Sequence, residues 1–225
     1  MEVELSRAQR AAMHAALGEP GRLAIVDALA LTDASPSEIG QALGMPSNLL
    51  AHHLGVLEHA GVIVRGRSEA DRRRIYVQLS PDALGFVAMP TPQNVPRVVF
   101  VCTQNSARSQ LAAALWASRA VLPVASAGTR PAPRVHPRAV STARRHGLEL
   151  RRAGTAHVRD VVRTGDLVVA VCDHAYEELA GDSAPQLHWS VPDPARGGST
   201  AAFDHAFDIL SDRVGRLAGV LESRN

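Results

Sequence analysis

The sequence predicts two domains of different fold class: an N-terminal winged helix-turn-helix, and a C-terminal α/β domain with four parallel strands and helices on both faces. Helical patterns followed by two alternating strand patterns occupy residues 1–89. A stretch with three prolines within residues 89–96 then predicts a short linker, placed at 90–96. Beyond it, apolar strand patterns alternate with helical ones over residues 97–225, as parallel sheets require.

The N-terminal domain is predicted to contain three helices and a hairpin. The first helix covers residues 17–29, and the second, over 35–43, has a serine cap and an early proline. The third runs over about 47–59, where leucines share one face. Strands at 62–65 and 75–79 enclose a polar turn. Helix-turn-helix followed by a hairpin is the order of a winged helix.

Residues 5–90 resemble the ArsR-type repressors, which implies binding to a double-stranded DNA operator and assembly as a homodimer. The resemblance puts four polar residues on the groove-facing side of the recognition helix and five arginines on the wing: Ser47, Asn48, His52 and His53, and Arg65, Arg67, Arg72, Arg73 and Arg74. Eight arginines against ten acidic residues in 1–90 leave the module without net positive charge, so DNA binding depends on the wing and the resemblance. The histidine pair is equally typical of a solvated surface. The module has no cysteine, and so it lacks the thiolates with which arsenic-sensing members bind As(III). The helix after the wing is short, about 81–88.

The stretch from Val98 to Ser109 predicts an anion-binding catalytic loop between a buried strand and a helix. Cys102 is the candidate nucleophile, because a helix N-terminus and a nearby arginine favour its thiolate. Arg108 offers a planar fork for two oxygens of a tetrahedral oxyanion. Asn105 tolerates the left-handed backbone that a tight turn needs, and Ser109 caps the helix or donates to the thiolate. The expected oxyanion-binding residues are Thr103, Gln104, Asn105, Ser106, Ala107, Arg108 and Ser109.

From Arg97 onward, the chain resembles the low-molecular-weight protein phosphatases and the arsenate reductases built on the same fold. The resemblance rests on Cys102 and Arg108-Ser109 with five residues between them, and on further motifs at 126–129, 135–139, 145–148 and 191–194. It implies that Asp193 is the general acid that protonates a leaving oxygen. It also implies that Ser126 hydrogen-bonds the loop asparagine and that His157 belongs to the network behind the loop. Asn105 and Ser109 are expected to support the loop as well.

Three functions remain open at the level of sequence. Ala195 stands where phosphotyrosine-specific relatives usually carry a tyrosine, and Gln104 and Ala107 fit reductase-like members at least as well as phosphatases. We therefore expect a cysteine-dependent arsenate reductase fused to a transcriptional regulator. The alternatives are a phosphatase that hydrolyses phosphomonoesters through a phosphocysteine, and a non-enzymatic repressor that senses an oxyanion such as arsenate or phosphate.

The chain has two cysteines, Cys102 and Cys172, and no pattern of a disulfide framework. We expect a reducing cytoplasm, no bound cofactor and no metal site. Thioredoxin-linked arsenate reductases use two further cysteines. Cys172 stands at the position of the first, and no cysteine stands at the position of the second. An external reductant is therefore expected: mycothiol or glutathione with a redoxin, or thioredoxin. No segment is long and apolar enough to predict a membrane span.

Overall fold

The computed structural model of the chain describes residues 5–81, 83, 95–150, 154–179 and 186–222. These residues form two compact units, the first built largely from residues before 84 and the second largely from residues after 94. The predicted linker at 90–96 and the short helix at 81–88 lie mostly outside the described residues.

The first unit is a helical bundle with a two-stranded antiparallel sheet. Its elements are α1 (Arg7–Leu17), α2 (Pro20–Ala28), α3 (Pro36–Leu43), α4 (Ser47–His59), β1 (Ile63–Arg67) and β2 (Ile75–Leu79). The predicted helices and hairpin are present, while α1 was not predicted. A capping box between Ser6 and Gln9 starts α1, and a second one between Ser35 and Glu38 starts α3.

The core of this unit is formed by aliphatic side chains from every element. Ile25, Leu54, Leu57, Val62 and Val77 are each at most 1% exposed. The leucines follow the helical spacing in α4, so that this helix buries one face and leaves the other in solvent.

The second unit has a four-stranded, fully parallel sheet in the order β4-β3-β5-β6. Its strands are β3 (Val98–Cys102), β4 (Val124–Gly128), β5 (Leu167–Ala170) and β6 (Leu187–His188), and its helices are α5 (Arg108–Arg119), α6 (Pro137–Arg145), α7 (Val158–Val161), α8 (Asp173–Glu178), α9 (Pro194–Gly197) and α10 (Thr200–Glu222). Every residue of β3 is buried, as its unbroken apolar run predicts.

The strand order places the ligand-binding edge of this sheet. The chain leaves β3 toward β4 on one side and later returns to β5 on the other side of β3. Because right-handed crossovers in opposite directions put their helices on opposite faces, a crevice opens at the carboxyl ends of β3 and β5. Cys102 ends β3, and Cys172 lies two residues beyond β5.

The last helix closes one face of the second unit. One face of α10 is buried, and its large side chains are each at most 5% exposed. They follow the spacing of one helix face: Phe203, Phe207, Leu210, Val214 and Leu217. This buried face packs mainly against α5.

Candidate active site

The segment between β3 and α5 is shaped by hydrogen bonds from its own carbonyl groups. Four loop carbonyls accept from the backbone of the segment after β4: Cys102 from Thr129, Thr103 from Arg130, Gln104 from Ala132, and Ser106 from His136. In a trans peptide the carbonyl and the following N–H point in opposite directions. The amides of residues 103, 104, 105 and 107 are therefore turned away from that segment, toward the hollow of the loop. Such a set of convergent amides is a binding site for an anion.

Asn105 gives the loop its turn. Its φ of 50° makes it the one non-glycine residue with positive φ among the described residues. Its side chain accepts from the amide of Ala156 (2.9 Å) and from Gln110 Nε2 (3.3 Å), and it donates to Ser109 Oγ (2.9 Å). Asn105 thus combines the left-handed backbone that the sequence predicts with three bonds that hold the loop in place.

Gly128, at the end of β4, lets the loop pass close to the sheet. A Cβ atom at this position would lie 2.8 Å from the carbonyl oxygen of Thr103 and 2.9 Å from the amide nitrogen of Asn105. Both contacts are with backbone, which has little room to move. Only glycine fits here without displacing the loop.

The sulfur of Cys102 lies inside this loop. The amide of Asn105 donates to Sγ at 3.2 Å, and Ser109 Oγ lies 3.1 Å from Sγ. Because Ser109 Oγ already accepts from the Asn105 side chain, its own proton is oriented toward the sulfur. Two hydrogen-bond donors are thus directed at the sulfur of Cys102.

Arg108, the first residue of α5, is 5% exposed and faces the same hollow. Its Nη1 donates to the carbonyl of Val191 at 2.9 Å, and its Nη2 lies 3.5 Å from Asp193 Oδ2. Burial by itself lowers the pKa of Arg108, but the ionised forms of nearby acidic groups, among them Cys172, Cys102 and Asp193, outweigh it and hold the pKa above the ordinary value. The guanidinium is therefore a permanent cation beside the cysteine.

Asp193 begins the short helix α9. Its Oδ1 accepts from the amide of Ala195 at 3.1 Å, and its other oxygen faces Arg108. The side chain is 32% exposed. Asp193 is thus an N-cap and at the same time a carboxyl group beside Arg108. This position is compatible with the role of general acid that the resemblance implies.

Two predicted supports of the loop are wrong in detail. Among the described residues, the side chain of Asn105 bonds to Ser109, Gln110 and the backbone of Ala156, and Ser126 is not one of its partners. The His157 side chain caps α7 by accepting from the amide of Arg159. The backbone next to it, rather than its imidazole, reaches the loop.

Sequence reasoning missed two residues that hold the loop, Gln110 and Gly128. Gln110 Nε2 bridges Asn105 and the carbonyl of Gly154. The sequence carried little signal for Gln110, because the burial that makes its amide need partners is visible only in the structure.

Cys172 lies next to the loop and is fully buried. Its sulfur accepts from the amide of Ala175 at 3.4 Å and lies 3.6 Å from Thr103 Oγ1. Burial raises the pKa of Cys172, and the opposing effect of Arg108 does not reverse this shift. Cys172 is therefore a protonated thiol that caps α8.

In the first unit, most of the predicted DNA-contacting side chains are exposed. Three lie on α4 and five on the hairpin or its turn: Ser47, Asn48 and His52, and Arg65, Arg67, Arg72, Arg73 and Arg74. Arg65 pairs with Glu58 at 3.0 Å. His53 is 6% exposed, with Nδ1 3.6 Å from the Glu19 carboxylate that caps α2, so its predicted place on the groove-facing side is wrong.

The described parts of the chain show neither a metal-binding cluster nor a helix that could span a membrane. No cluster of three or more histidine, cysteine or acidic side chains there is arranged to hold a metal ion. Across the same described residues, none of the helices combines the length and apolar character needed to cross a membrane.

Comparisons with known proteins match both units. The family model described as low molecular weight phosphotyrosine protein phosphatase matches residues 97–225, and a helix-turn-helix domain model matches residues 17–66. Arsenate reductase 1 of Bacillus cereus (strain ATCC 10987 / NRS 248) is 30% identical over 133 residues, which cover 56% of this chain and 96% of the relative. An arsenate reductase of Halalkalibacterium halodurans is 29% identical over 132 residues, 54% of this chain and 94% of the relative.

Among solved structures, the tyrosine phosphatase amsI of Erwinia amylovora superposes with a TM-score of 0.52 at 20% identity, over 57% of this chain and 95% of that one. At this identity the likeness shows the fold alone. The phosphatase-family model, in contrast, spans more than half of the chain and includes the whole cysteine–arginine loop. The chain therefore belongs to the low molecular weight phosphotyrosine protein phosphatase family, and a helix-turn-helix domain precedes its phosphatase-like domain.

Proposed function

We propose that the second unit is a thiol-dependent arsenate reductase with Cys102 as its nucleophile. The observation that carries this proposal is the position of the Cys102 sulfur, bonded by Asn105 and Ser109 inside a ring of amides that Arg108 closes. A tetrahedral oxyanion held by those amides and the guanidinium has its central atom next to the sulfur. The curated relatives named above, both called arsenate reductases, favour arsenate as that oxyanion.

In the first step, the Cys102 thiolate attacks arsenic and a sulfur–arsenic bond forms. Asp193 gives its proton to the departing oxygen, which leaves as water. In the second step, an external thiol attacks the Cys102 sulfur, so that a mixed disulfide forms while the electron pair of the sulfur–arsenic bond stays on arsenic. Arsenite then leaves. A second external thiol releases Cys102, and the sum is one arsenate and two thiols converted to one arsenite, one disulfide and one water.

The reductant is an external thiol, because the chain supplies no suitable second one. Of its two cysteines, only Cys172 is available besides the nucleophile, and it is buried with a raised pKa. Mycothiol or glutathione with a redoxin, or thioredoxin, are the candidate donors in a reducing cytoplasm.

The first unit binds a double-stranded DNA operator as a homodimer and makes the protein a regulator as well as an enzyme. Exposed Ser47, Asn48 and His52 on α4 face the groove, and the hairpin arginines contact phosphates.

The enzymatic proposal is tested by incubating the purified full chain with arsenate and with each thiol system in turn. Arsenite is measured by speciation, and thiol consumption is measured in parallel. We expect two thiols consumed per arsenite with at least one system, and no arsenite from Cys102→Ser. Absence of arsenite with every system would refute the reductase. Rapid hydrolysis of an aryl phosphate would then favour the phosphatase, and a shift in DNA affinity with arsenate or phosphate, without turnover, would favour the non-enzymatic sensor.

A further inference from the structure

The backbone that leads from β6 to Asp193 is anchored by a carboxylate that the mechanism above does not use. His188 Nε2 lies 3.0 Å from Asp173 Oδ1, and the two side chains are 1% and 2% exposed. The Ser190 hydroxyl also hydrogen-bonds the Asp173 carboxylate. In an extended segment residues 188 and 190 point to one side, so a single carboxylate can receive both of them.

The backbone around His188 and Ser190 is held by further contacts. Trp189 points to the opposite side, where it is buried against Phe100, and its amide donates to the carbonyl of Ala170 at 2.8 Å. Two residues further along, the carbonyl of Val191 accepts from Arg108 Nη1. The segment 188–193 is therefore fastened to the carboxyl end of β5 at its start and to the anion-binding arginine near its end.

Asp173 is an anion that only accepts hydrogen bonds. Burial raises its pKa, but the bonds from His188 and Ser190 help to reverse this effect, and the net pKa lies below the usual range. Replacing this carboxylate by a carboxamide of the same shape turns an NH2 group toward one of the donors. The anchor is then lost without a change in volume.

We propose that Asp173 is a positioning residue that fixes the segment 188–193, so that Asp193 meets the leaving oxygen. This inference rests on the proposed role of Asp193 as the general acid. Asp173 touches neither the sulfur nor the oxyanion, and its effect on turnover passes through Asp193.

The chain offers a matched control in the pair Asp166–Arg97. Asp166 is also a buried aspartate beside β5 that accepts several hydrogen bonds, but it lies before β5 and ties that end to the residue preceding β3. The substitution Asp166→Asn thus removes a buried anion at the edge of the sheet opposite the loop. We expect it to lower stability and to leave the acid segment in place.

The test is a mutant cycle on the full chain with arsenate and an active thiol system. We expect Asp173→Asn to lower kcat about tenfold with KM for arsenate changed less than about threefold, and Asp193→Asn to lower kcat about a hundredfold. The kcat of the double variant Asp173→Asn with Asp193→Asn should be within about twofold of the kcat of Asp193→Asn alone. The effects of Asp166→Asn and Asp193→Asn on kcat should instead multiply. Multiplicative losses for Asp173→Asn and Asp193→Asn would overturn the proposal.

Hydrogen exchange supplies a readout that does not need turnover. In Asp173→Asn we expect amides of residues 187–193 to exchange at least about tenfold faster, and in Asp166→Asn we expect no change there. Ser190→Ala, which removes one bond, serves if Asp173→Asn does not fold, and it should accelerate the same amides about threefold. Unchanged exchange in these variants would overturn the proposal. An inactive wild type with the expected exchange would refute the reductase and leave the anchor standing.

Discussion

At the scale of single residues, the site depends on close backbone contacts as much as on the reacting groups. Cys102 and Arg108 were recognisable in the sequence from their chemistry and spacing, whereas Asp193 was expected only from the resemblance to the phosphatase family. Gly128 was not recognised as a site residue, although its missing Cβ lets the loop lie against β4. A glycine signals a close approach only when the neighbouring backbone is known, and here that backbone comes from a different segment.

The replacement Gly128→Ala should push the loop away from β4. We expect turnover to fall at least about tenfold and the free energy of unfolding to fall by about 1–3 kcal/mol, measured by steady-state kinetics and urea denaturation. Gly219→Ala in α10 is the control, because a Cβ there meets nothing within 4 Å. It should leave turnover unchanged and add about 0.5–1 kcal/mol of stability. Full activity of Gly128→Ala would show that the loop has room that the structure denies.

The second cysteine gives a separate prediction about the reductant. Serine at position 172 can still accept the amide bond that caps α8, so Cys172→Ser should fold. We expect its arsenate turnover with an external thiol to stay within about threefold of the wild type, since a buried protonated thiol takes no part in the exchange. Loss of turnover with arsenate still bound would instead make Cys172 the resolving thiol.

At the scale of elements, the sequence predicted most helices and strands but not how side chains face their neighbours. The buried strand that ends at Cys102 was predictable because buried parallel strands are unbroken apolar runs. Helix α1 was missed because alanines and arginines dominate it, so few large apolar side chains mark a helical spacing. Only Met13 and Ala16 of this helix are buried. His52 and His53 are adjacent and therefore about 100° apart on a helix. They cannot both face the groove, and the structure buries His53.

The amino ends of β3 and β5 are joined by Arg97 and Asp166, and this pair makes stability depend on pH. Burial raises the pKa of Asp166, yet hydrogen bonds from Arg97 and from the amide of Arg163 outweigh it, and the net pKa is lowered. The folded state therefore binds the proton more weakly than the unfolded state. The resulting stability is present above the unfolded pKa, about 4, and is lost as pH falls through the lower folded value.

Urea denaturation at a series of pH values checks this prediction. We expect Asp166→Asn to lower the free energy of unfolding by about 1–3 kcal/mol at neutral pH, and the gap to the wild type to shrink below about pH 4. A gap that stays constant down to pH values of about 2 would contradict the lowered pKa.

At the scale of the whole molecule, two units with separate chemistry are combined in one chain. The C-terminal match rests on several ordered motifs and is specific, whereas the DNA-binding role rests on exposed polar residues of α4 and on arginines. Composition alone does not decide it, because the module carries slightly more acidic residues than arginines. Charge placed on one hairpin is more informative than net charge.

Salt dependence of DNA binding tests that placement. If the hairpin arginines contact phosphates, the double replacement Arg67→Ala and Arg72→Ala should weaken binding to a mixed-sequence duplex and reduce the slope of log affinity against log salt by about 2. Fluorescence anisotropy over a salt series measures both. Arg138→Ala, an exposed arginine on α6, should leave the slope unchanged. An unaltered slope in the double variant would show that these hairpin arginines do not contact DNA phosphates.

The central claim is that the sulfur at the end of β3 and the oxyanion share one site. Alkylation of Cys102 by iodoacetamide, followed by mass spectrometry that separates Cys102 from Cys172, tests it most directly. Saturating phosphate, which is not reduced, should slow alkylation of Cys102 at least about tenfold, as expected for a ligand occupying the same site. Alkylation of Cys102 at an unchanged rate in saturating phosphate and arsenate would contradict the account.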